Sequence, residues 1–363
     1  MRALILGGGY GTRLRPLTCT KPKILLPVAN KPLVDWTIGH LKNSGIVDIT
    51  LAVGYMAGAI QDHVKKIPGI NASFSLEETP LGTGGAVKNA FSKVGFDEPF
   101  IVINGDVIAF PDYARLIAAH KRSGAIATIA AHRVKKPERF GAVLIGEDNR
   151  IERFVEKPRR RISNLINAGI YLLDPGIFDF IPNGKVSIER EVFPTLCERR
   201  LIHGFELEIE STWVDIGLTE DYILANRLLL HTIERKILFS ESAQISEHAK
   251  ISGEVVIGEN AEIERRAQIV GPTAIGGNVV VKRYARIRES IVLPGVVIGE
   301  YAKASESIIG ENSVVGERAE LGKGCVIGEG AVVRDETTLA PFVRVCPYKE
   351  VEESVLEPGS YVV

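Results

Sequence analysis

From about residue 245 onward a branched aliphatic residue recurs every six positions: Ile245, Ile251, Ile257, Ile263, Ile269, Ile275, Val281 and Ile287. Four positions after each stands a small or branched residue, from Ala249 and Val255 through Ala261, Ala267, Thr273 and Val279 to Ala285 and Ile291. The segment ESIVLPGVVIGEYAKASES breaks this register, which resumes at Ile309, Val315, Leu321, Ile327, Val333 and Leu339. A period of six matches neither the 3.6 of a helix nor the alternation of a half-buried strand. It fits a left-handed parallel β-helix with three flat faces, each hexapeptide forming one face and about eighteen residues one coil. The aliphatic residues then fill the prism. Gly258, Gly276, Gly299, Gly310, Gly316 and Gly328 are expected at the corners, where positive φ is needed.

This pattern resembles the hexapeptide-repeat family over roughly residues 240–345. Upstream the texture changes. Apolar runs at Arg2–Leu6, Ile49–Val53, 100–103, 126–131 and 166–173 alternate with helical stretches near 34–43, 57–66, 84–93, 112–122 and 219–237. Such alternation reads as an α/β, Rossmann-like, mainly parallel sheet with helices on both faces. The expected organisation is therefore a first domain over 1–237, followed by a β-helix and tail over 238–363.

Of 363 residues, 44 are Lys or Arg and 45 are Asp or Glu, for a net charge of -1. That balance supplies no bulk field for nucleic acid or an anionic membrane. No apolar run approaches the roughly 20 residues that span a bilayer, and the apolar start is too short for a signal peptide. The four cysteines show no CxxC spacing, so neither a zinc site nor a disulfide scaffold is indicated. A cytoplasmic location is the expectation.

The strand Ala3–Leu6 runs directly into GGGYGTRLRPLTCTKPK. Glycines at the carboxyl end of a first strand let backbone amides approach phosphates. The dinucleotide fingerprint fails, because it would need glycine at Thr12 or Leu14, and the P-loop is absent. Arg13, Arg15, Lys21 and Lys23 follow instead, on a loop stiffened by Pro16, Pro22 and Pro27. Spacing alone leaves these cations equally open to a phosphate clamp or a solvated surface.

GGGYGTRLRPLT followed by KPKILLPVANKP resembles the signature of the sugar-1-phosphate nucleotidylyltransferases, the nucleoside-diphosphate-sugar pyrophosphorylases. The resemblance continues through ETPLGTGGAVKNA (78–90), INGDV (103–107), FGAV (140–143), FVEKP (154–158), NAGIYLLDP (167–175), SIEREVFP (187–194) and TWVDIG (212–217). SNLINAGIYLLDP and VSIEREVFP look most like mannose-1-phosphate guanylyltransferases that carry a C-terminal hexapeptide β-helix. The resemblance implies transfer of a nucleotidyl group from a nucleoside triphosphate to a sugar 1-phosphate, with release of pyrophosphate. GTP and mannose 1-phosphate are the expected pair, and glucose-1-phosphate thymidylyl or uridylyl transfer is the alternative.

The resemblance also assigns residues. Arg13 would grip the leaving phosphates and Lys23 the phosphates at the reacting centre. Asp106 and Asp215 would hold Mg2+, as hard oxygen donors suit. Leu6, Gly8, Gly9, Gly11, Thr12, Gly82 and Thr83 would bind the nucleotide. Glu77 and Glu78 stand equal as acceptors for guanine or as solvated acids, with Glu78 carried as the nucleotide contact. Gly141, Glu156, Lys157 and Asn167 would hold the sugar phosphate.

Two readings from other classes compete. Some hexapeptide β-helices are acyl-CoA acetyltransferases with a histidine base, but none of the seven histidines lies beyond His248. A non-catalytic regulatory subunit that senses a nucleotide sugar would be expected to lack one of Arg13, Lys23, Asp106 or Asp215, and all four are present. The β-helix is expected to serve homo-oligomeric assembly or regulation, not the reaction.

Overall fold

The computed structural model describes residues 1–208, 212–233 and 235–363. They group into two units, Met1–Tyr10 with Val34–Asp215, and Gly11–Leu33 with Ile216–Val363.

In the first unit, strands and helices alternate as β1 (Arg2–Leu6), α1 (Leu33–Asn43), β2 (Asp48–Val53), α2 (Ala57–Val64), β3 (Asn71–Leu76), α3 (Gly82–Val94) and β4 (Phe100–Asn104). Then follow β5 (Val107–Ala109), α4 (Tyr113–Ser123), β6 (Ala127–Arg133), β7 (Gly141–Ile145), β8 (Ile151–Glu156), β9 (Leu165–Leu173), α5 (Phe193–Glu198), β10 (Ile202–Glu206) and β11 (Trp213–Asp215). Nine strands form one sheet in the order β8-β7-β9-β4-β1-β2-β3, with β6 joining β9 to β10. The β3-β2-β1-β4 half is parallel, whereas β9 runs antiparallel to β4, β6 and β7. The sheet is thus mixed, and less parallel than its apolar runs suggest. Short turns and hairpins return the chain beside its neighbour, which a run of buried Ile and Leu cannot disclose.

Leu4, Val102 and Ala127 share one core with Ala86, Val87 and Ala90 of α3, and all but Ala86 are fully buried. Both sheet faces are covered, as continuous apolar strands require. Leu4→Ala would remove a fully buried side chain at a cost of about 2–5 kcal/mol. Register brings the functional edge together. Leu6 is level with Ala52 and with Asn104. Gly7 N then donates to Ala52 O at 2.8 Å, and Gly105 N to Leu6 O at 2.9 Å. The glycine turn and the Asn104–Asp106 turn therefore leave the sheet side by side.

In the second unit, α6 (Thr219–Thr232) stops before the expected residue 237, and Glu234 lies outside the described residues. Parallel strands then stack into sheets of eight, seven and six, from Ile237–Phe239 to Tyr361–Val362, as a left-handed β-helix requires. The solenoid extends past both ends of the legible repeat. Its core is columns of matched aliphatics, such as Ile251, Ile269 and Ile287. Most coils hold 18 residues; the last step, from Val345 to Val362, holds seventeen, and within the repeat Ile275 pairs with Val292 and Val292 with Ile309, so two inner coils hold seventeen as well. Those two one-residue deletions are the register break seen in the sequence.

The corner glycines have a different cause from the one expected. Positive φ falls on Asn260, Asn278, Tyr284, Tyr301, Asn312 and Arg318, whereas Gly258, Gly276, Gly299, Gly310, Gly316 and Gly328 do not adopt it. What demands glycine is the next coil. A Cβ at Gly258 would fall 2.5 Å from Gly277 N, and one at Gly276 2.6 Å from Pro294 N.

Candidate active site

The first unit carries three clusters. At the end of β1, a Cβ on Gly8 would lie 2.6 Å from Glu77 Oε1, so glycine is required there for Glu77 to approach. A Cβ built on Gly9 would meet no atom within 4 Å among the described residues beyond its own chain neighbours, so that side of the turn is open. Leu6 is half-buried just before this turn. Glu77 Oε2 accepts from Leu81 N at 3.1 Å, and burial pushes its carboxyl above the ordinary value. Glu78 is exposed. Of the two acids, Glu77 is the one built into the glycine turn.

The glycines of GTGGA answer chiefly to packing. Gly84 N and Gly85 N donate to Val186 O at 2.9 and 3.2 Å. A Cβ at Gly82 would fall 2.5 Å from Val186 O, and one at Gly85 2.5 Å from Gly184 O. The Thr83 hydroxyl is also engaged within the protein. It donates to Glu189 Oε2 at 2.6 Å and accepts from Ile188 N at 3.0 Å.

Asp106 follows β4 by two residues, and β5 pairs antiparallel with β11, with Asp215 opposite Val107. That register sets Asp106 and Asp215 at one end of the two-stranded ribbon, and Asp215 Oδ1 is buried. Among the described residues no group of three or more His, Cys, Asp or Glu side chains is placed to hold a metal ion. Two carboxylates suit a hard divalent cation whose other ligands come from phosphate and water.

The third cluster surrounds Glu156. Glu156 and Gly141 are cross-strand partners, and a Cβ on Gly141 would lie 2.8 Å from Glu156 Oε2. Burial first, and then the charge of Glu189, push the Glu156 carboxyl upward, while Lys157 opposes them. Lys157 has φ 49° and its Nζ lies 3.7 Å from Glu156 Oε1. The β9–β6 pairing is irregular between Asn167 and Tyr171, and Gly169 takes φ 74° there. Asn167 Oδ1 accepts from Gly169 N at 2.9 Å, and Asn167 Nδ2 donates to Tyr171 Oη at 2.8 Å. Tyr171 in turn donates to Glu189 Oε1 at 3.4 Å. Asn104 Oδ1, close by Gly169, is buried without a hydrogen-bond partner among the described residues, an acceptor available to a donor that enters.

Glu189, Tyr171 and Asn104 were not singled out from the sequence. Tyr171 sits in a nine-residue strand of apolar character, and its phenol is the signal that was available, since a buried hydroxyl needs a partner.

The second unit carries the basic loop. Gly11 takes φ 62° and begins a 3-10 turn, Thr12–Leu14. Thr18 Oγ1 donates to Gly11 O at 2.8 Å, Leu14 is fully buried, and Thr12 and Arg13 are exposed. The Arg13 guanidinium lies beside Gly217, with Nη1 3.4 Å from where a Cβ would stand. Lys23 opens another 3-10 turn, Lys23–Leu25, and is half-buried. Lys21 pairs with Glu311, a structural engagement that its place in a basic run did not foretell.

Residues 2–232 match the nucleotidyl transferase family model, and residues 261–361 match the GMPPB C-terminal domain model. A rice protein (Oryza sativa subsp. japonica) described as "Probable mannose-1-phosphate guanylyltransferase 2" is 39% identical over 99% of both chains. The "Mannose-1-phosphate guanyltransferase" of Schizosaccharomyces pombe is 37% identical over 100% of both. Among solved structures, HddC from Yersinia pseudotuberculosis, complexed with GMP-PN, shares 32% identity at a TM-score of 0.54. It covers 63% of this chain and 99% of its own. No described helix is long and apolar enough to cross a membrane.

Proposed function

Because the chain belongs to the nucleotidyl transferase family, we propose that it transfers the guanylyl group of GTP to mannose 1-phosphate, giving GDP-mannose and pyrophosphate. The observation that carries this choice of substrates is the end-to-end similarity to mannose-1-phosphate guanylyltransferases, through the transferase region and the β-helix alike.

The chemistry is a displacement at phosphorus. A phosphate oxygen of the sugar 1-phosphate forms a bond to the α-phosphorus of GTP, and the bond from that phosphorus to the β-phosphate oxygen breaks. The nucleophile is already ionised, so no general base is needed, and the protein must align two anions and neutralise charge. In this reading Gly8, Gly9, Gly11 and Thr12 offer backbone amides to the triphosphate. Arg13 neutralises the departing pyrophosphate, and Lys23 the phosphates at the reacting centre. Lys157 pairs with the sugar phosphate. Glu156 accepts hydrogen bonds from hexose hydroxyls beside Gly141, and Asn167 and Tyr171 fix its surroundings. Glu77, rather than the exposed Glu78, is the acceptor for the guanine donors. Asp106 and Asp215 hold a divalent cation, Mg2+ by their oxygen donors, which would supply charge neutralisation on phosphate oxygens when bound. A homo-oligomer assembled through the β-helix completes the proposal.

The test is product identity. Purified protein with GTP, mannose 1-phosphate and Mg2+ should yield GDP-mannose and pyrophosphate in equal amounts. Absence of that product, with GTP left intact, would refute the proposal.

A further inference from the structure

The loop Gly11–Leu33, which carries Arg13 and Lys23, groups with the β-helix unit, and specific side chains tie the two. Lys21 Nζ forms an ion pair with Glu311 Oε1, from a residue 290 positions away. Arg344 Nη1 donates to Arg15 O at 3.0 Å, and its Nη2 lies 3.5 Å from Thr219 Oγ1 at the start of α6. Asn30, at the tip of the hairpin Pro27–Val28/Lys31–Pro32, donates through Nδ2 to Ile275 O at 2.6 Å.

These contacts bracket both cations. Arg13 lies between Gly11, fastened by Thr18, and Arg15, fastened by Arg344. Lys23 lies two residues after Lys21, fastened by Glu311. The side chains of Lys21 and Glu311 are only 27% and 19% exposed, so the pair is better shielded than a surface bridge. The loop itself has only short 3-10 turns and a two-residue hairpin, with no long element to hold it.

We propose that Glu311 and Arg344 of the β-helix are positioning residues for nucleotidyl transfer, setting the loop that presents Arg13 and Lys23. The solenoid is then part of the catalytic apparatus and not only an assembly module. The inference rests on the reading that Arg13 and Lys23 address phosphates.

A charge-exchange cycle in the full chain tests it. Lys21→Glu and Glu311→Lys should each lower kcat about tenfold or more, since small misplacements of aligned groups are costly, while KM for mannose 1-phosphate stays within about twofold. The double exchange Lys21→Glu/Glu311→Lys should recover most of the loss, and Arg344→Lys should retain more activity than Arg344→Ala. Melting curves and light scattering report folding and assembly. If an exchange variant does not fold, Glu311→Gln and the Arg344 pair carry the same comparison. Wild-type kcat in the folded single variants, or a double exchange no faster than the product of the two single losses, would overturn the proposal. Arg13→Ala serves as the reference: if it lowers kcat and the exchanges do not, this inference alone fails. If Arg13→Ala leaves kcat unchanged, the phosphate reading of the loop fails.

Discussion

Glu156 stands directly across the β7–β8 pair from Gly141, and the missing side chain at Gly141 is what admits the Glu156 carboxylate. An alanine methyl would fall 2.8 Å from Oε2 and 2.9 Å from the Phe154 ring. Gly141→Ala should therefore displace the carboxylate and lower kcat/KM for mannose 1-phosphate by about tenfold to a hundredfold, a misplacement effect. KM for GTP should stay near the wild-type value. Steady-state kinetics with each substrate varied in turn decide this, and an unchanged kcat/KM for the sugar phosphate would count against the hexose assignment.

Glu156 and Glu189 are coupled through charge, and Glu189 adds to burial in raising the Glu156 pKa above its ordinary 4.5. Glu156 must be ionised to serve as a full acceptor, so hexose binding is lost as pH falls through that raised value. Glu189→Gln removes the like charge, lowers the Glu156 pKa and moves the acid limb of kcat/KM to lower pH. The ionisation of the substrate is common to both enzymes and cancels in the comparison. Stability follows the same sign. Ionising Glu156 is costlier in the folded chain, so Glu156→Gln should raise Tm at neutral pH, and the gain should vanish below about 4.5, where both states are protonated. A limb that does not move, or moves upward, would contradict the coupling.

Asp106→Asn and Asp215→Asn should each lose on the order of several kcal/mol of transition-state stabilisation while melting near the wild-type temperature. Titrating Mg2+ against rate separates a weakened metal site from a folding defect. Near-wild-type turnover at saturating Mg2+ in either variant would remove that aspartate from the metal pair.

Much of the fold was legible because its signals are local. A six-residue aliphatic period spells out the solenoid, and even the two inner short coils showed as a break in register. The reason for the corner glycines was not legible, since the atoms they must clear belong to the next coil. The same limit applies to the site. Arg13, Lys23, Asp106 and Asp215 sit in recognisable strings. The network joining Thr83, Tyr171 and Glu189, and the Lys21–Glu311 pair, connect distant segments that only tertiary packing brings together.

The close approach at the corners makes a stability prediction. Gly276→Ala forces a methyl to 2.6 Å from Pro294 N and should cost about 1–3 kcal/mol, as overpacking does. Gly58→Ala in α2 meets open space and should instead stabilise by about 0.5–1 kcal/mol, the helix preference of alanine over glycine. Denaturant unfolding of the two variants tests the contrast, and equal loss in both would mean that the coils yield at the corner.

The most direct test of the whole account is a kcat/KM comparison of GTP with mannose 1-phosphate against dTTP or UTP with glucose 1-phosphate, scored by pyrophosphate release. Guanine presents N1–H and an exocyclic amine as donors, and leaving their acceptor unpaired costs about 1–3 kcal/mol. The guanylyl pair should therefore lead by roughly tenfold to a hundredfold. Glu77→Gln should narrow that lead. A higher kcat/KM for dTTP or UTP with glucose 1-phosphate would contradict the guanylyl and mannosyl assignment.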